Sequence, residues 1–391
     1  MRFALDKEQE DLQAVVRSFF AEKAPESVVR RLMAGDELYD RPTWTQLCGQ
    51  LGLAGLAVPE EYGGAGYTFV ELGIVLEEMG RALFVSPFLA SAVMATTLLL
   101  AGDDEAAKQA YLPGLASGEL IGTVALAEDA GHWTRDGIAM TATRRGDGWV
   151  LDGHKSFVLD LTSADLVLVA ARAGTDVGTD VGTDVGTDIG TDIGTDIGVF
   201  AVDAGAAGLQ RQLLPTMDQT RKQGRLTCQA TPARLIGDTA GGWAAVQEML
   251  DLTCIAVSAE MLGGAQRTLE MAVEYAKVRE QFGRPIGSFQ AIKHKCATML
   301  VEVEACRSAV YYALWAAATR ADDLAVAASL TKAFCSDTYL FTAGENIQIH
   351  GGIGYTWEHP AHLYFKRAKN SGLFLGGPDY HREQLAQRIG I

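Results

Sequence analysis

The sequence predicts a mainly α-helical protein with a central β domain. Residues 1–120 repeat apolar side chains at helical spacing, 121–238 contain short segments rich in β-formers, and 239–391 return to long amphipathic helices. A chain of 391 residues is too long for one small core, so two or three packed units are expected. We therefore predict a helical domain at 1–120, a β domain at 121–238 and a helical bundle at 239–391.

The first domain contains clear helix signals. A helix is predicted over 8–23, where apolar residues between Leu12 and Phe20 share one face, with Asp6 as N-cap and Gln9 at the capping-box position. A second helix is predicted over 69–81, after a loop rich in glycine and proline.

The middle domain is predicted from five short segments that are rich in β-formers and bounded by turn signals. The predicted strands are 122–126, 138–142, 149–152, 157–159 and 165–171. An unusual repeat, Gly-Thr-Asp-Val/Ile, follows and occurs six times over 174–197. Its period of four residues differs from the longer repeat of calcium-binding β-rolls. Because strands are predicted on both flanks, we interpret it as a flexible, functionless expansion of a hairpin loop.

The last domain is predicted to be a four-helix bundle. Long amphipathic stretches cover 244–279, 289–320 and 324–349, and a glycine-rich break and a short final helix follow them.

Composition excludes several classes of protein. A net charge of −16 argues against nucleic acid or an anionic membrane as the main partner, although the repeat supplies six of the acidic residues. The apolar segment 89–101 is too short to span a bilayer and is predicted to be a buried helix. Six scattered cysteines without a Cys-x-x-Cys pair are typical of the reducing cytoplasm, and no His/Cys cluster has metal-ligand spacing.

Two glycine-rich elements are the candidate binding sites. The segment 279–294 interrupts a helical pattern with two glycines and a proline, and it presents Arg279, Gln281 and Arg284. Such a corner can bind an anion such as a pyrophosphate, although an ordinary helix–helix turn is the alternative. The second element, 348–355, follows a helix rather than a strand and so is not the dinucleotide fingerprint of a doubly wound sheet. Its glycines still let the backbone approach a phosphate.

Four stretches resemble the acyl-CoA dehydrogenase family of flavoproteins. They are Leu51-Gly-Leu-Ala-Gly-Leu-Ala-Val-Pro-Glu-Glu-Tyr-Gly-Gly64, Gly153-His-Lys-Ser-Phe157, Arg279-Glu-Gln-Phe-Gly-Arg-Pro-Ile-Gly-Ser-Phe-Gln290 and Gln348-Ile-His-Gly-Gly-Ile-Gly354. The resemblance implies a helical N-terminal domain, a middle β domain and a C-terminal four-helix bundle. It also implies FAD bound between subunits and formation of an α,β double bond in an acyl-CoA thioester. In that reaction a carboxylate removes the α-proton while the β-hydrogen leaves as a hydride to the flavin.

The resemblance assigns FAD-binding positions that are intact in this chain. In the family these positions hold the pyrophosphate and adenosine of the FAD of a neighbouring subunit. We call them the clamp residues: Arg279, Gln281, Phe282, Gln348, Gly351 and Gly352.

The positions that would contact the chain's own flavin ring depart from the family pattern. Ala127 stands where the family has Thr, and Trp133 stands where it has Ser. Phe157 keeps an aromatic residue beside the ring, but Leu159 replaces a hydroxyl residue.

The position of the catalytic base departs most from the family pattern. The two family base positions fall on Leu375 and Thr253, neither of which can take an α-proton. Asp251 and Glu260 are weak alternative candidates, since each is more typical of a surface or packing-edge carboxylate.

These differences favour a base-lacking subunit that clamps FAD in a heteromer with a related chain, as in bacterial acyl-CoA dehydrogenases of the sterol side-chain type. Two alternatives remain. One is a self-sufficient homo-oligomeric dehydrogenase with a displaced base, and the other is a non-catalytic subunit that binds acyl-CoA or flavin. The resemblance also implies electron-transfer flavoprotein as electron acceptor, and it leaves open whether the acyl group is fatty, branched or steroidal.

Overall fold

The computed structural model describes residues 5–35, 37–174 and 196–391. The chain divides into two compact units. The helical unit contains Met1–Leu89, Thr216–Arg221 and Leu250–Ile391, and the β unit contains Ala90–Pro215 and Lys222–Met249. The short segment Thr216–Arg221 therefore belongs to the helical unit, although strands precede and follow it. The three-domain boundaries given above stay a prediction.

Eleven α-helices lie within the described residues. They are α1 Lys7–Lys23, α2 Glu26–Ala34, α3 Arg41–Thr45, α4 Phe69–Ala82, α5 Thr96–Ala101, α6 Glu105–Ser117, α7 Gly242–Val278, α8 Gln290–Thr319, α9 Leu324–His350, α10 Ala361–Leu373 and α11 Pro378–Arg388. In the described parts of the chain, every helix is too short or too polar to cross a membrane.

The helix starts follow the predicted capping chemistry. The Gln9 N–H donates to the Asp6 side chain at 3.0 Å, and the Asp6 N–H donates to the Gln9 side chain at 3.1 Å. The predicted capping box is therefore confirmed, and Val16 and Phe20 of the predicted face are buried. The apolar segment 89–101 forms a π-helical turn followed by α5.

Close glycine contacts hold α4 against α7 in the helical unit. A β-carbon at Gly80 would lie 1.9 Å from the Glu260 carbonyl oxygen, and one at Gly263 would lie 1.7 Å from the Glu77 carbonyl oxygen. The two backbones therefore touch, which only glycine permits. Helix α9 contacts α8, α10 and α11. It also contacts α7, since a β-carbon at Gly264 would lie 2.3 Å from the Tyr339 ring, so the long helices form the expected bundle.

Seven strands of the β unit form one sheet. They are β1 Gly122–Ala125, β2 Thr141–Arg145, β3 Gly148–Leu159, β4 Leu166–Gly174, β5 Ile197–Asp203, β6 Leu209–Leu214 and β7 Gln223–Ile236. The order β4-β2-β3-β7-β5 closes on itself because β5 also pairs with β4, and this closure makes a barrel. Inward side chains such as Val167, Val169 and Phe200 fill its core.

The strand predictions were only partly right. The predicted strand 138–142 begins at Thr141 instead, because the N–H groups of Ala139 and Met140 donate to the Glu128 carboxylate at 2.8 Å. The segments 149–152 and 157–159 belong to one long strand with two bulges. Strands β6 and β7 had not been assigned from the sequence.

The strands that flank the repeat pair as predicted. Strand β4 runs antiparallel to β5, with Leu166 opposite Asp203 and Arg172 opposite Ile197. The predicted flexible expansion covers 174–197, of which residues 175–195 lie outside the described residues.

Candidate functional site

The corner between α7 and α8 is a two-residue β-hairpin. Strand β8 (Glu280–Gln281) pairs with β9 (Arg284–Pro285), and Phe282 and Gly283 between them have φ of 54° and 73°. Two-residue hairpin loops of this kind need positive φ at both central residues, which glycine adopts easily and phenylalanine does not. The corner is therefore a defined turn that carries strain at Phe282.

The polar side chains of this corner point to solvent. Arg279, Gln281 and Arg284 are exposed, and Phe282 is 91% exposed. The Arg284 guanidinium lies 4.2 Å from the centre of the Phe289 ring. Arg279, by contrast, has no carboxylate partner among the described residues. Its charge is therefore available to an anion.

The second glycine-rich element follows the end of α9. Gly351 has φ of 63° and ψ of −138°, and a 3₁₀ turn covers Gly351–Tyr355. A β-carbon at Gly351 or Gly352 would meet no atom within 4 Å. The backbone here borders open space beside the exposed Gln348.

An aromatic stack brings these two elements together. The rings of Tyr275 on α7 and His350 on α9 lie 4.2 Å apart with 25° between their planes. Tyr275 is one turn before Arg279, whose N–H donates to the Tyr275 carbonyl at 2.8 Å. His350 lies between Gln348 and Gly351 in the chain. The two groups of clamp residues therefore lie at the same end of the helical unit.

Three histidines near the clamp residues act as polar packing groups. The His350 ring packs on His359 at 4.4 Å, and the His362 ring stacks on Trp357 at 4.9 Å. Burial lowers the pKa of all three imidazoles below the usual 6.5. The described residues contain no group of His, Cys, Asp and Glu that could hold a metal ion.

The four ring-contact positions lie in the β unit. Ala127 and Leu159 are buried, and their carbonyls accept hydrogen bonds from Ser156 N–H at 2.9 Å and Thr123 Oγ1 at 2.6 Å. Trp133 is partly exposed.

Phe157 is the most accessible ring-contact position. It is 37% exposed and has φ of 60° at a bulge of β3. A β-carbon at Gly131 would lie 3.9 Å from its ring. Phe157 is therefore an aromatic residue with a strained backbone, and it lies beside the turn at Gly131.

Neither family base position holds an acid in the structure. Leu375 is 2% exposed, with φ of 62°, in the loop after α10. Thr253 is fully buried on α7. Neither side chain can accept a proton from carbon near neutral pH.

A buried lysine lies close to both positions. The Lys332 Nζ donates to the carbonyl of Gly376, next to Leu375, at 3.2 Å. Burial lowers the pKa of Lys332 to about 8, while the nearby Cys254 thiol, which follows Thr253, acts in the opposite direction. Lys332 therefore lies beside the chain neighbours of both base positions, Gly376 and Cys254.

The candidate Glu260 forms the centre of a buried ion network. Arg221 Nη2 donates to both Glu260 carboxylate oxygens at 2.7 Å, and Arg367 donates to Glu260 as well. Arg367 Nε also binds Asp218 at 3.0 Å. Burial raises the pKa of Glu260, but Arg221 and Arg367 outweigh burial and hold it below its usual range.

The candidate Asp251 is held by the last helix. Arg388 Nη2 of α11 donates to Asp251 at 2.7 Å and Arg388 Nη1 donates to Ser329 Oγ at 2.9 Å. Asp251 is 8% exposed and Glu260 is 7% exposed. The expectation of surface or packing-edge carboxylates was therefore wrong for both, because arginines from distant segments compensate their charges inside the protein.

Sequence reasoning missed the arginines of this network. Arg221 and Arg367 lie 39 and 107 residues from Glu260 in the chain. Local sequence patterns alone predict that arginines such as these are exposed to solvent. The only sequence signal for this network was the presence of Asp218 and Arg221 in a short segment with neither helical nor strand periodicity.

Comparison with known families identifies the chain. Residues 6–119 match the profile of the acyl-CoA dehydrogenase N-terminal domain, and residues 240–390 match that of the C-terminal domain. The chain belongs to the acyl-CoA dehydrogenase family. Its fold, with helical domains before and after a β barrel, is the acyl-CoA dehydrogenase fold, so the predicted fold class is confirmed. Members of this family are oxidoreductases that act on the CH–CH group of an acyl-CoA.

Among curated relatives of this acyl-CoA dehydrogenase is IpdE2 of Mycobacterium tuberculosis (strain H37Rv), also an acyl-CoA dehydrogenase. The two are 35% identical over 376 residues, which cover 95% of this chain and 94% of the relative. The chain is also 28% identical to the mitochondrial isovaleryl-CoA dehydrogenase of Pongo abelii, over 97% of this chain and 88% of the relative.

Solved structures similar to this chain include other acyl-CoA dehydrogenases. The chain is similar to a variant of the Tcur3481–Tcur3483 steroid ACAD, with 32% identity, a TM-score of 0.82 and 98% of each chain covered. It is similar to the ChsE4–ChsE5 complex from Mycobacterium tuberculosis, with 28% identity, a TM-score of 0.85 and coverage of 100% and 99%. Butyryl-CoA dehydrogenase from Megasphaera elsdenii matches with 26% identity, a TM-score of 0.87 and full coverage of both chains.

The clamp residues fit the FAD that acyl-CoA dehydrogenases use. A free guanidinium, two exposed amides and an open glycine backbone are the donors that a pyrophosphate requires. The exposed Phe282 ring offers a face to an adenine. The fit is weaker in the β unit. Leu159, which is buried, occupies the position beside the flavin ring at which the family has a hydroxyl residue.

Proposed function

We propose that this chain is the FAD-clamping, base-lacking subunit of a heteromeric acyl-CoA dehydrogenase. One contrast carries the proposal: Arg279 is exposed and unpaired among the described residues, whereas the base positions hold Leu375 and Thr253. When bound, FAD accepts the hydride lost from the β-carbon of the acyl-CoA. A related chain would supply the carboxylate that takes the α-proton.

The clamp chemistry supports FAD as the ligand. Arg279 would donate charge-assisted hydrogen bonds to the pyrophosphate, and Gln281 and Gln348 would donate amide hydrogen bonds. Gly352 lets the ligand approach the backbone closely, since a β-carbon there would meet only open space.

The state of the nearby carboxylates supports the absence of a base. Glu260 stays ionised between two arginines, and its lowered pKa makes it a poor proton acceptor. Asp251 is engaged by Arg388. A base in either place would first have to lose a buried ion pair, which is costly.

The partner and substrate are proposed from the relatives. Two similar solved structures are named as pairs of chains, the Tcur3481–Tcur3483 steroid ACAD and the ChsE4–ChsE5 complex. This favours a related dehydrogenase subunit as partner and a bulky, steroid-type acyl-CoA as substrate. We further propose electron-transfer flavoprotein as the electron acceptor and the cytoplasm as the location, since all six cysteines are free.

The alternative is a self-sufficient homo-oligomer in which Asp251 or Glu260 serves as the base. A purified homo-oligomer that oxidises acyl-CoA, keeps its FAD and loses turnover on Asp251→Asn or Glu260→Gln would favour it. A non-catalytic subunit is the third possibility. Turnover that is unchanged by Arg279→Ala in the assembly would favour that one.

The test of the clamp uses a matched pair of variants. In the FAD-containing assembly, Arg279→Ala should raise the dissociation constant of FAD by roughly 10- to 100-fold, the usual effect of losing a charge-assisted hydrogen bond. Arg284→Ala removes an equal charge from the same hairpin, but Arg284 lies over Phe289 and should have little effect. Equal FAD affinity in both variants and the wild type would refute the proposal.

A further inference from the structure

We propose that Tyr275 and His350 are positioning residues that set the distance between the two halves of the FAD clamp. The proposal rests on the proposed function, because it assigns a role to residues that support the clamp without belonging to it. Its basis is the stack between their rings, 4.2 Å apart and nearly parallel. One half comes directly after α7, and the other lies at the C-terminal end of α9 and in the glycine loop that follows it.

The α7 half is coupled closely to Tyr275. The Arg279 N–H donates to the Tyr275 carbonyl at 2.8 Å, and the Ile286 N–H donates to the Arg279 carbonyl at 2.7 Å. A β-carbon at Gly287 would lie 2.8 Å from the Ala276 carbonyl oxygen, so the corner folds back onto the last turns of α7. A movement of Tyr275 is therefore transmitted to Arg279.

The α9 half is coupled in the same way to His350. The His350 Nδ1 lies 2.8 Å from the Asn346 carbonyl, which fixes the plane of the ring on its own helix. The Gly351 N–H donates to the Gln348 carbonyl. A β-carbon at Gly354 would lie 3.0 Å from the His350 Cβ, so the glycine loop packs against the histidine.

A third ring completes the stack. His359 packs on His350 with ring centres 4.4 Å apart, and its Nδ1 accepts the Ala361 N–H at 3.2 Å. The chain after the glycine loop thus returns to the stack at His359. Both ends of that loop are therefore held by the same three rings.

The position of Tyr275 separates this role from ordinary packing. Tyr275 is only partly buried, so its truncation removes little apolar area and should change the free energy of unfolding little. The stack nevertheless joins the ends of two helices of 37 and 27 residues. Loss of the stack should therefore affect FAD binding more than stability.

The experiment compares three variants of the purified FAD-containing assembly, and FAD itself is the titrant. Tyr275→Leu should raise the dissociation constant of FAD roughly three- to tenfold, the value of an aromatic pair. Tyr275→Phe keeps the ring and should stay within about twofold of the wild type. Phe84→Leu removes a buried ring that contacts Phe20 at 4.8 Å, away from the clamp, and it controls for general destabilisation.

A double-mutant cycle tests the pair itself. His350→Leu should weaken FAD binding as Tyr275→Leu does, and the double variant should cost no more than either single change. Fully additive effects would show that the two rings act separately and would overturn the proposal. It would also be overturned if Tyr275→Leu lowered FAD affinity only in step with the unfolding midpoint, as Phe84→Leu would.

Failure of this inference and failure of the proposed function give different results. If Arg279→Ala weakens FAD binding and Tyr275→Leu does not, the positioning role is wrong and the clamp stands. If Arg279→Ala leaves FAD binding unchanged, the clamp itself is wrong.

Discussion

Glu260 carries a negative charge inside the helical unit because two arginines compensate it. Arg221 contributes two contacts of 2.7 Å, and Arg367 joins Glu260 to Asp218. A buried charge that loses its partner is costly, whereas an exposed pair contributes little. We therefore expect Glu260 to stabilise the helical unit rather than to transfer a proton.

Glu260→Gln should lower the free energy of unfolding at pH 7 by about 3–5 kcal/mol, because it leaves the buried Arg221 guanidinium without a carboxylate and Arg367 with Asp218 alone. The pKa of Glu260 is lowered in the folded state, so its contribution is present above about pH 4.5 and is lost as the pH falls through the folded pKa. Urea unfolding at several pH values should show the difference from wild type shrinking in acid. Asp11→Asn, in an exposed pair with Lys7, should show no measurable change.

Phe282 keeps a strained backbone at an exposed position. Its φ of 54° is unfavourable for a side chain, and 91% exposure means that little burial compensates the strain. Phe282→Asn should therefore raise the free energy of unfolding by roughly 0.5–1 kcal/mol, since Asn-Gly suits this turn. The same variant should weaken FAD binding. Phe282→Leu, which keeps the strain, should not gain stability, and a gain there would refute the explanation.

At the residue scale, local signals and the family resemblance point to exposed candidate residues more readily than to buried ion pairs. Arg279 and Gly351 were predicted as ligand-binding residues from glycine and proline punctuation and from the family resemblance, and that role stays a prediction. The partners of Glu260 were not, because pairing over 39 and 107 residues is decided by how the segments pack. Glu260 was expected at the surface or at a packing edge, but it is buried where α7 touches α4 at Gly80.

At the scale of elements, the loop between α10 and α11 is held by a buried lysine. The Lys332 Nζ donates to the carbonyls of Gly372 and Gly376 at 3.2 Å and to Ser336 Oγ at 3.3 Å. The His381 ring lies 3.0 Å from the Leu375 carbonyl. The loop that carries a family base position is therefore fixed from two helices.

Burial lowers the pKa of Lys332 from 10.5 to about 8. The unfolded chain thus binds a proton that the folded chain has lost between these values, so unfolding becomes harder as the pH rises from about 8 to 10.5. Lys332→Met should remove this part of the pH dependence in urea unfolding. If the free energies of unfolding of the variant and the wild type changed in parallel between pH 8 and 10.5, the burial of a titrating lysine would be contradicted.

The repeat between β4 and β5 offers a prediction at the same scale. Its flanking strands are paired up to Arg172 and Ile197. Replacing residues 175–195 by Asn-Gly should keep the fold and raise the free energy of unfolding by up to about 2 kcal/mol, because a shorter loop closes at lower entropic cost. FAD content of the assembly should stay the same. A fall in stability or in FAD content would assign the repeat a role.

Elements differed in how far the sequence predicted them. Long amphipathic helices and the capping box at Asp6 were correct, because those signals are local. The strand over 138–142 was wrong because Glu128 binds the N–H groups that a strand would have paired. Strand β6 was missed because its burial alternates only weakly and it lies at the edge of the sheet.

At the scale of the whole molecule, the proposed function makes this chain dependent on a partner. The clamp residues are exposed and fit FAD, while the two base positions hold no acid. Under the proposed function, such a chain would bind and orient the flavin of a neighbour. Acyl-CoA oxidation would then require both chains.

The most direct test is the FAD content of the purified chain, alone and co-expressed with a related chain that has Glu at a base position. We predict little FAD and no acyl-CoA oxidation for the chain alone, and both FAD and oxidation for the co-purified pair. A homo-oligomer of this chain that carries stoichiometric FAD and oxidises acyl-CoA at full rate would contradict the account.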